Sequence, residues 1–516
     1  MRPGEFSTAA FEGNVVRVYQ ETASHHPDRL ALQMDDVSFT HAELAETGRN
    51  VAGGLRDLGL RPDDRIAVYL PNCPAFVIAA LGALGAGTPF VPLNPQYTPR
   101  EVAYYLRDSD AKVVITHADL RGRTERALDR ITADPMVLTV GGEGYSDDRP
   151  FETIPGDPHC EPRRDGDIAM QPYTSGTTGE PKGVLYTHRN LRAQSLMGFE
   201  RTNLPSARER FLSVLPLSHI AGFVNRTWQP LVRGASVYLQ DPREWDPEAA
   251  MAAIERERIT KFGAVTTMYV DLINHDAFGE YDLSSLEESM QGADSMPAAV
   301  QERFEEVAGV ELFEAYGLTE TGGGTHVGIN STFGPRQGTI GQPLRATDCK
   351  IVDEDGREVL PGETGELLVR GPHVMAGYHE NSHETENAFT AEGYLRTGDI
   401  ARYDADNYYE IVDRQDHVVV TGGYNVYPTE VEEVLYEYPD VVDAAVVGVP
   451  DDRRGETIKA FVITANGATP TESELKNHCL EALAAYKHPR EIAFVEQLPR
   501  TNSGKVRKFE LSAESD

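Results

Sequence analysis

Hydroxyls, glycines and one lysine crowd the stretch YTSGTTGEPKGV, from Tyr173 to Val184. Thr174, Ser175, Thr177 and Thr178 supply O–H donors. Gly176, Gly179 and Gly183 let backbone N–H groups turn inward with no Cβ in the way, and Lys182 adds a point cation. Such a loop suits a polyphosphate, and the chemistry points to a nucleoside triphosphate. A Walker A loop, GxxxxGK[ST], is excluded, because Pro181 precedes Lys182 and Gly183 follows it. The plain alternative is a polar surface turn, the usual meaning of such composition. The ordered GxxGxPKG spacing around a single lysine favours phosphate.

Other segments carry chemistry of a related kind. LPLSHIAGF holds His219, MQGAD ends in Asp294, and EAYGLTETGGG runs from Glu314 to Gly324. YLRTGD ends in Asp399, DRQDHVVVTGGYNVYP holds Arg414 and Asp416, and LPRTNSGKVRK places Lys505, one of nine lysines, in a Gly-flanked loop. Taken singly, these read as a core histidine, a turn, a solvated carboxylate, a surface salt bridge and a basic tail. A carboxylate also accepts from both hydroxyls of a ribose, and an arginine donates to ribose or phosphate oxygens. With the phosphate loop, the set resembles the motifs of the adenylate-forming superfamily, which includes acyl-CoA synthetases, luciferases and the adenylation domains of peptide synthetases. The resemblance extends over nearly the whole chain.

That resemblance implies a role for each position. Thr174 to Gly179 with Lys182 hold the phosphates of ATP, Gly292 and Ala293 flank the adenine, and Tyr316 stacks on its face. Thr319 contacts the α-phosphate, Glu320 binds Mg²⁺, and Asp399 and Arg414 hold the ribose. An aromatic ring offers a flat apolar surface to a purine, and a hard carboxylate suits Mg²⁺. His219, Ile220, Ala221, Gly222 and Phe223, with Gly322, Gly323 and Gly324, line the acyl pocket, where three glycines hint at room for a bulky acid. No aspartate stands near His219 to hold an α-ammonium, which argues against an amino-acid substrate. Asp416 is the hinge, Gly422, Gly423 and Tyr424 meet CoA, and Lys505 bridges the carboxylate and the α-phosphate. Asp413 stands where most relatives have Gly, so the surroundings of Arg414 depart from the family pattern.

These groups need elements to position them. Residues 38–116 alternate helix-like and strand-like segments: a helix over HAELAETGRNVAGGLRDLG, a strand Ile66–Leu70, a helix over AFVIAALGALGAG, then strands Pro89–Leu93 and Lys112–Thr116. Alternating β and α predicts a parallel sheet. A Pro/Gly/Asp-rich stretch, Gly141–Asp167, reads as a surface connection into a strand Ile168–Tyr173. In the last hundred residues, Thr429 with Glu432 and Thr471 with Glu474 read as capping boxes opening two helices, with strand-like runs DAAVVGV, IKAFVIT and EIAFVEQL. The expected fold is α/β, with a large N-terminal domain of layered sheets and helices over 1–415 and a small mobile α+β domain over 416–516.

A length of 516 residues exceeds what one core normally holds, about 250–300 residues. The net charge of −34 repels nucleic acid and anionic membranes. Nine lysines against 39 arginines fit a salt-adapted cytosol or a GC-rich genome. The longest apolar-rich run, Ala75–Gly87, is too short to span a bilayer, and four scattered cysteines read as reduced thiols, so a cytoplasmic location is expected. The expected activity is an ATP-dependent acyl-CoA synthetase, acting with ATP, Mg²⁺ and CoA on a medium-chain, branched, cyclic or aryl acid through an acyl-adenylate. A ligase loading a carrier protein, a luciferase-like oxygenase and an inactive nucleotide-binding scaffold stand as alternatives. Homodimer formation is left open.

Overall fold

Thr40 begins the first long helix, His41–Asp57, by accepting the Glu43 N–H on its hydroxyl while the Glu43 carboxylate takes the Thr40 N–H, a reciprocal capping box. The computed structural model describes residues 7, 12–141, 149–174, 181–198, 206–292, 296, 298–329, 332, 334–421, 424–451, 454–465, 467–500 and 506–513. A second helix, Pro74–Ala86, is buried on every side from Phe76 onward, which is why its sequence is apolar all round. The two helices approach closely because glycine faces side chains across the contact. A Cβ on Gly48 or Gly85 would stand 2.8 Å from the Cβ of Leu81 or Ala52.

Among the described residues these helices are sandwiched between two nine-stranded sheets. In one sheet, strands Ile66–Tyr69, Phe90–Pro92, Val113–His117, Met136–Val140 and Ile168–Met170 run parallel, as the alternating pattern predicts. In the other, Arg210–Ser213, Ser236–Leu239, Lys261–Ala264, Glu288–Gly292 and Leu312–Leu318 are parallel, and Gly323–Val327 returns antiparallel. The carboxyl ends of parallel strands are where α/β folds bind ligands, and Gly292 and Thr319 stand there. A third, four-stranded sheet ends in Tyr409–Arg414, followed by the 3₁₀ turn Gln415–His417.

The C-terminal unit has its own core. Val441–Asp451 and Gly455–Thr464 pair antiparallel, Glu491–Phe494 joins parallel, and the hairpin Val419–Thr421/Tyr424–Val426 closes the sheet. Over its described residues the connection after Gly141 runs along the surface, as expected, and is pinned against helix His41–Asp57, where the Ile154 and Asp157 carbonyls occupy the places a Cβ on Gly54 or Gly53 would take. One expectation needs correction. Thr429 makes no capping box: helix Pro428–Tyr436 begins after Tyr427, and both the Thr429 N–H and hydroxyl donate to Asp413 Oδ2, at 2.9 and 3.1 Å. A better acceptor arrives from the strand before the turn, while Glu432 is drawn to the Val446 amide and Lys508. The Thr471–Glu474 box forms as expected. Among the described residues no helix is long and apolar enough to cross a membrane.

Candidate active site

A cleft of about 930 Å³ runs between the large sheets and the C-terminal unit. Strands Tyr173–Thr174 and Lys182–Thr187 flank the hydroxyl-rich loop, with Thr174 in register with Lys182, so both side chains reach the cleft. Ser175, Gly176, Thr177, Thr178 and Gly179 lie outside the described residues. The Lys182 ammonium pairs with Glu384, holding that carboxyl below the usual glutamate range, and sits 5.1 Å from the centre of the Tyr378 ring. The Tyr378 hydroxyl donates to Glu320 Oε1 at 3.0 Å. Tyr378 and Glu384 therefore tie the phosphate-loop lysine to the candidate Mg²⁺ ligand. Neither was singled out from the sequence, because only the pairing of Tyr378 opposite Val184 brings them there.

Glu320 and Thr319 occupy a 3₁₀ turn at the carboxyl end of strand Leu312–Leu318 and line the cleft. Gly292, in register with Ala315, lies on the same wall; Ala293 is outside the described residues. The Tyr316 hydroxyl donates to Asp399, and burial pushes it far above the usual tyrosine range, with the neighbouring carboxylate adding to the shift. Asp399, 3% exposed, faces Arg414 across the strand pair and accepts from its Nη1 at 2.9 Å. Tyr316 and Arg414 line the cleft with Asp399 behind them. Asp413 faces away from this pair: its Oδ1 accepts the Arg414 amide at 2.7 Å and its Oδ2 holds Thr429.

The acid end is built differently from the expectation. His219, Ile220 and Ala221 line the cleft, with His219 Nδ1 accepting the Ala221 amide at 3.2 Å. Then the chain enters a π-helical turn, Ala221–Trp228, a rare geometry that recurs at functional sites. Phe223 points into the core, 5.1 Å from the Phe90 ring and 6.1 Å from Phe76. Gly222 packs on the Pro216 carbonyl, and neither residue lines the cleft. Gly322 sits at φ +72 with its amide donating to the Tyr186 hydroxyl at 2.6 Å. Gly323 lines the cleft at φ +117 and is filled by Asn225, onto whose carboxamide a Cβ would collide. The first two glycines of that run meet backbone and packing demands instead of making room. The turn instead presents Asn225 and Arg226 to the cleft, and Gln229, which opens the next helix, also lines it.

The C-terminal unit closes the far side. An antiparallel bridge joins Arg500 to Val506, and Val506 through Phe509 line the same cleft as Lys182. Lys505 itself lies outside the described residues, as do Gly422 and Gly423. Tyr424 is 59% exposed and stacks on Tyr486 with ring centres 4.7 Å apart, away from the cleft. Asp416 falls in the turn Gln415–His417.

Comparison with known proteins agrees with this arrangement. The AMP-binding enzyme profile matches residues 19–379, and that of the AMP-binding enzyme C-terminal domain matches 430–505. A long-chain-fatty-acid–CoA ligase of Bacillus subtilis is 33% identical, over 96% of this chain and 94% of its own length. A feruloyl-CoA synthase of an Amycolatopsis species is 36% identical, over 94% and 96%. The crystal structure of the anthranilate CoA ligase AuaEII in complex with anthranoyl-AMP matches with a TM-score of 0.92 at 27% identity, covering 100% of this chain and 99% of that one.

Proposed function

Because the chain belongs to the AMP-binding enzymes, the adenylate-forming ligases that include acyl-CoA synthetases, we propose that it couples an aryl or cyclic carboxylic acid to CoA at the expense of ATP. The observation that carries this reading is that Val506, the neighbour of Lys505, opens onto the cleft that holds Lys182, Thr319 and Glu320. Two cations, one at a loop end and one on the C-terminal unit, then bracket one nucleotide. The aryl acids named for the feruloyl and anthranilate enzymes support the acid class.

In the first half-reaction a carboxylate oxygen attacks the α-phosphorus in line, the bond to the bridging β-oxygen breaks, and pyrophosphate leaves. Lys182, freed from Glu384, neutralises the departing group. Lys505 spans the carboxylate and the α-phosphate and is best placed as the two anions merge. Tyr316 supports the purine, and Asp399 turns from Arg414 to the ribose hydroxyls. Glu320 fits Mg²⁺, since a lone carboxylate beside phosphate is what this ion takes; among the described residues no group of three ligating side chains suggests another kind of site. When bound, the ion supplies charge neutralisation on the triphosphate.

In the second half-reaction the CoA thiol attacks the acyl carbon and AMP leaves. Residues 1–415 form the nucleotide- and acid-binding domain and 416–516 the mobile one, pivoting at Asp416. The turn Gln415–His417 between two sheets supports that boundary. Rotation would withdraw Lys505 and bring Gly422, Gly423 and Tyr424 to the cleft. The present arrangement, with Val506 inside and Tyr424 exposed, fits adenylation. Four free cysteines fit a reducing cytoplasm.

Lys505→Ala is expected to lower ATP–pyrophosphate exchange by about a thousandfold while thioester formation from synthetic acyl-adenylate continues. Equal loss in both halves would sink this division of roles. Carrier protein outperforming free CoA as acceptor would replace the synthetase reading with that of a loading ligase.

A further inference from the structure

Beyond His219 the cleft ends in a buried charge cluster. Arg233 pairs with Glu209, Lys261 lies 3.6 Å from the same carboxylate, and Lys261 pairs with Glu288. Two positive and two negative charges meet in this chain of pairs. Arg226 is a fifth. It is 9% exposed, lines the cleft, and among the described residues makes neither an ion pair nor a side-chain hydrogen bond. Its field reaches Glu288, a carboxylate already committed to Lys261. The guanidinium lies on Gly263, where a Cβ would collide with its Cζ and Nη2, so the missing side chain makes its berth.

Burial pushes the Arg226 pKa down, yet an arginine starts so high that it keeps its charge. A buried ion without a counter-ion is costly to hold. Among the described side chains of this cluster Arg226 is the charge that makes no ion pair, and it lines the cleft. Gly263 is in register with Met290, two residues from Gly292, which sets the guanidinium roughly 7 Å further down the strands than the nucleotide end of that wall. An alkyl tail or a bare ring would leave the charge uncancelled.

We propose that the acid carries a second carboxylate, remote from the one that is adenylated, and that Arg226 receives it, so that the substrate is an aryl or cyclic dicarboxylic acid. This rests on the ligase reading above. Arg226 then determines specificity by charge: the diacid fills the pocket and neutralises it, whereas the monoacid fills it and strands the guanidinium.

The test is pyrophosphate release with ATP, Mg²⁺ and CoA, using benzoate against isophthalate and terephthalate, and hexanoate against adipate. At least one diacid should exceed its monoacid about tenfold in kcat/KM, and Arg226→Met should cut that ratio about thirtyfold, mostly through KM. Arg226→Lys, which keeps the charge and loses the fork, should fall between. Monoacids preferred throughout, or a ratio indifferent to Arg226→Met, overturns the proposal. Melting of the acid-free protein gives an independent reading. Arg226→Met should melt no lower than the parent, and isophthalate or terephthalate should raise the melting temperature of the parent alone. A variant that melts lower shows a guanidinium holding the fold and overturns the proposal. Silence of every acid in pyrophosphate release refutes the ligase reading instead, and the melting shift then decides for or against the anion site.

Discussion

At the nucleotide end of the cleft, Lys182 rests on Glu384, Arg414 on Asp399, and Glu320 takes a hydroxyl from Tyr378; at the acid end, Arg233, Glu209, Lys261 and Glu288 pair in a chain and Arg226 lines the cleft with no ion pair among the described residues. The first set is partly open to water, with the Lys182 side chain 20% and Glu384 35% exposed. Solvated pairs are cheap to open, so on the proposed reading a polyphosphate can displace Glu384 from Lys182. The second set is buried, and burial pushes the Lys261 pKa down to about 8 against the pull of Glu288. Breaking such a chain strands an ion in a dry place. A site that must bind and release phosphate uses partners it can lose, whereas a site that must choose an acid presents a charge that the fold leaves uncancelled.

The contrast is sharpest for stability. Lys261→Met takes from Glu288 the cation it pairs with, while Glu209 keeps Arg233, and urea unfolding should show a loss of about 3–5 kcal/mol, most of it restored by adding Glu288→Leu. A loss under about 1 kcal/mol would erase the distinction between the two ends. Next, Tyr378→Phe removes the hydroxyl that holds Glu320 and should slow pyrophosphate exchange about tenfold with little change in melting; an unaltered rate would detach Tyr378 from the nucleotide end. The smallest effect belongs to Glu384→Gln, which should cost less than about 1 kcal/mol because the pair is screened by solvent. The pair with Lys182 depresses the folded pKa of Glu384 below its unfolded value, so its small contribution is present above the ordinary glutamate pKa and is lost as pH falls through the folded one. A melting-temperature gap between the parent and Glu384→Gln that is present above that range and closes as the pH falls below it checks the sign.

Much of the cleft was legible in advance because its residues sit in short contiguous motifs. Lys182 follows its loop, Thr319 and Glu320 follow a strand, and Asp399 and Arg414 stand opposite each other on two strands that pair. Tyr378 was not legible, since it reaches Lys182 by pairing with a strand nearly two hundred residues earlier. The acid pocket misled for a local reason. Phe223 looked like pocket lining, but the π-helical turn rotates it into the core and turns Asn225 and Arg226 outward. A lone arginine seven residues after His219, in an otherwise apolar and small segment, was the available signal. At Thr429 the local rule failed because Asp413 outcompeted Glu432 as its partner.

The order of residues alone determined the alternation of strand and helix and the family to which the chain belongs, since each depends on neighbours within a few positions. Tertiary structure decided which charges find partners. Whether a guanidinium is neutralised depends on carboxylates that arrive from distant strands, and Arg226 is the one near that cluster that the described fold leaves facing the cleft uncancelled.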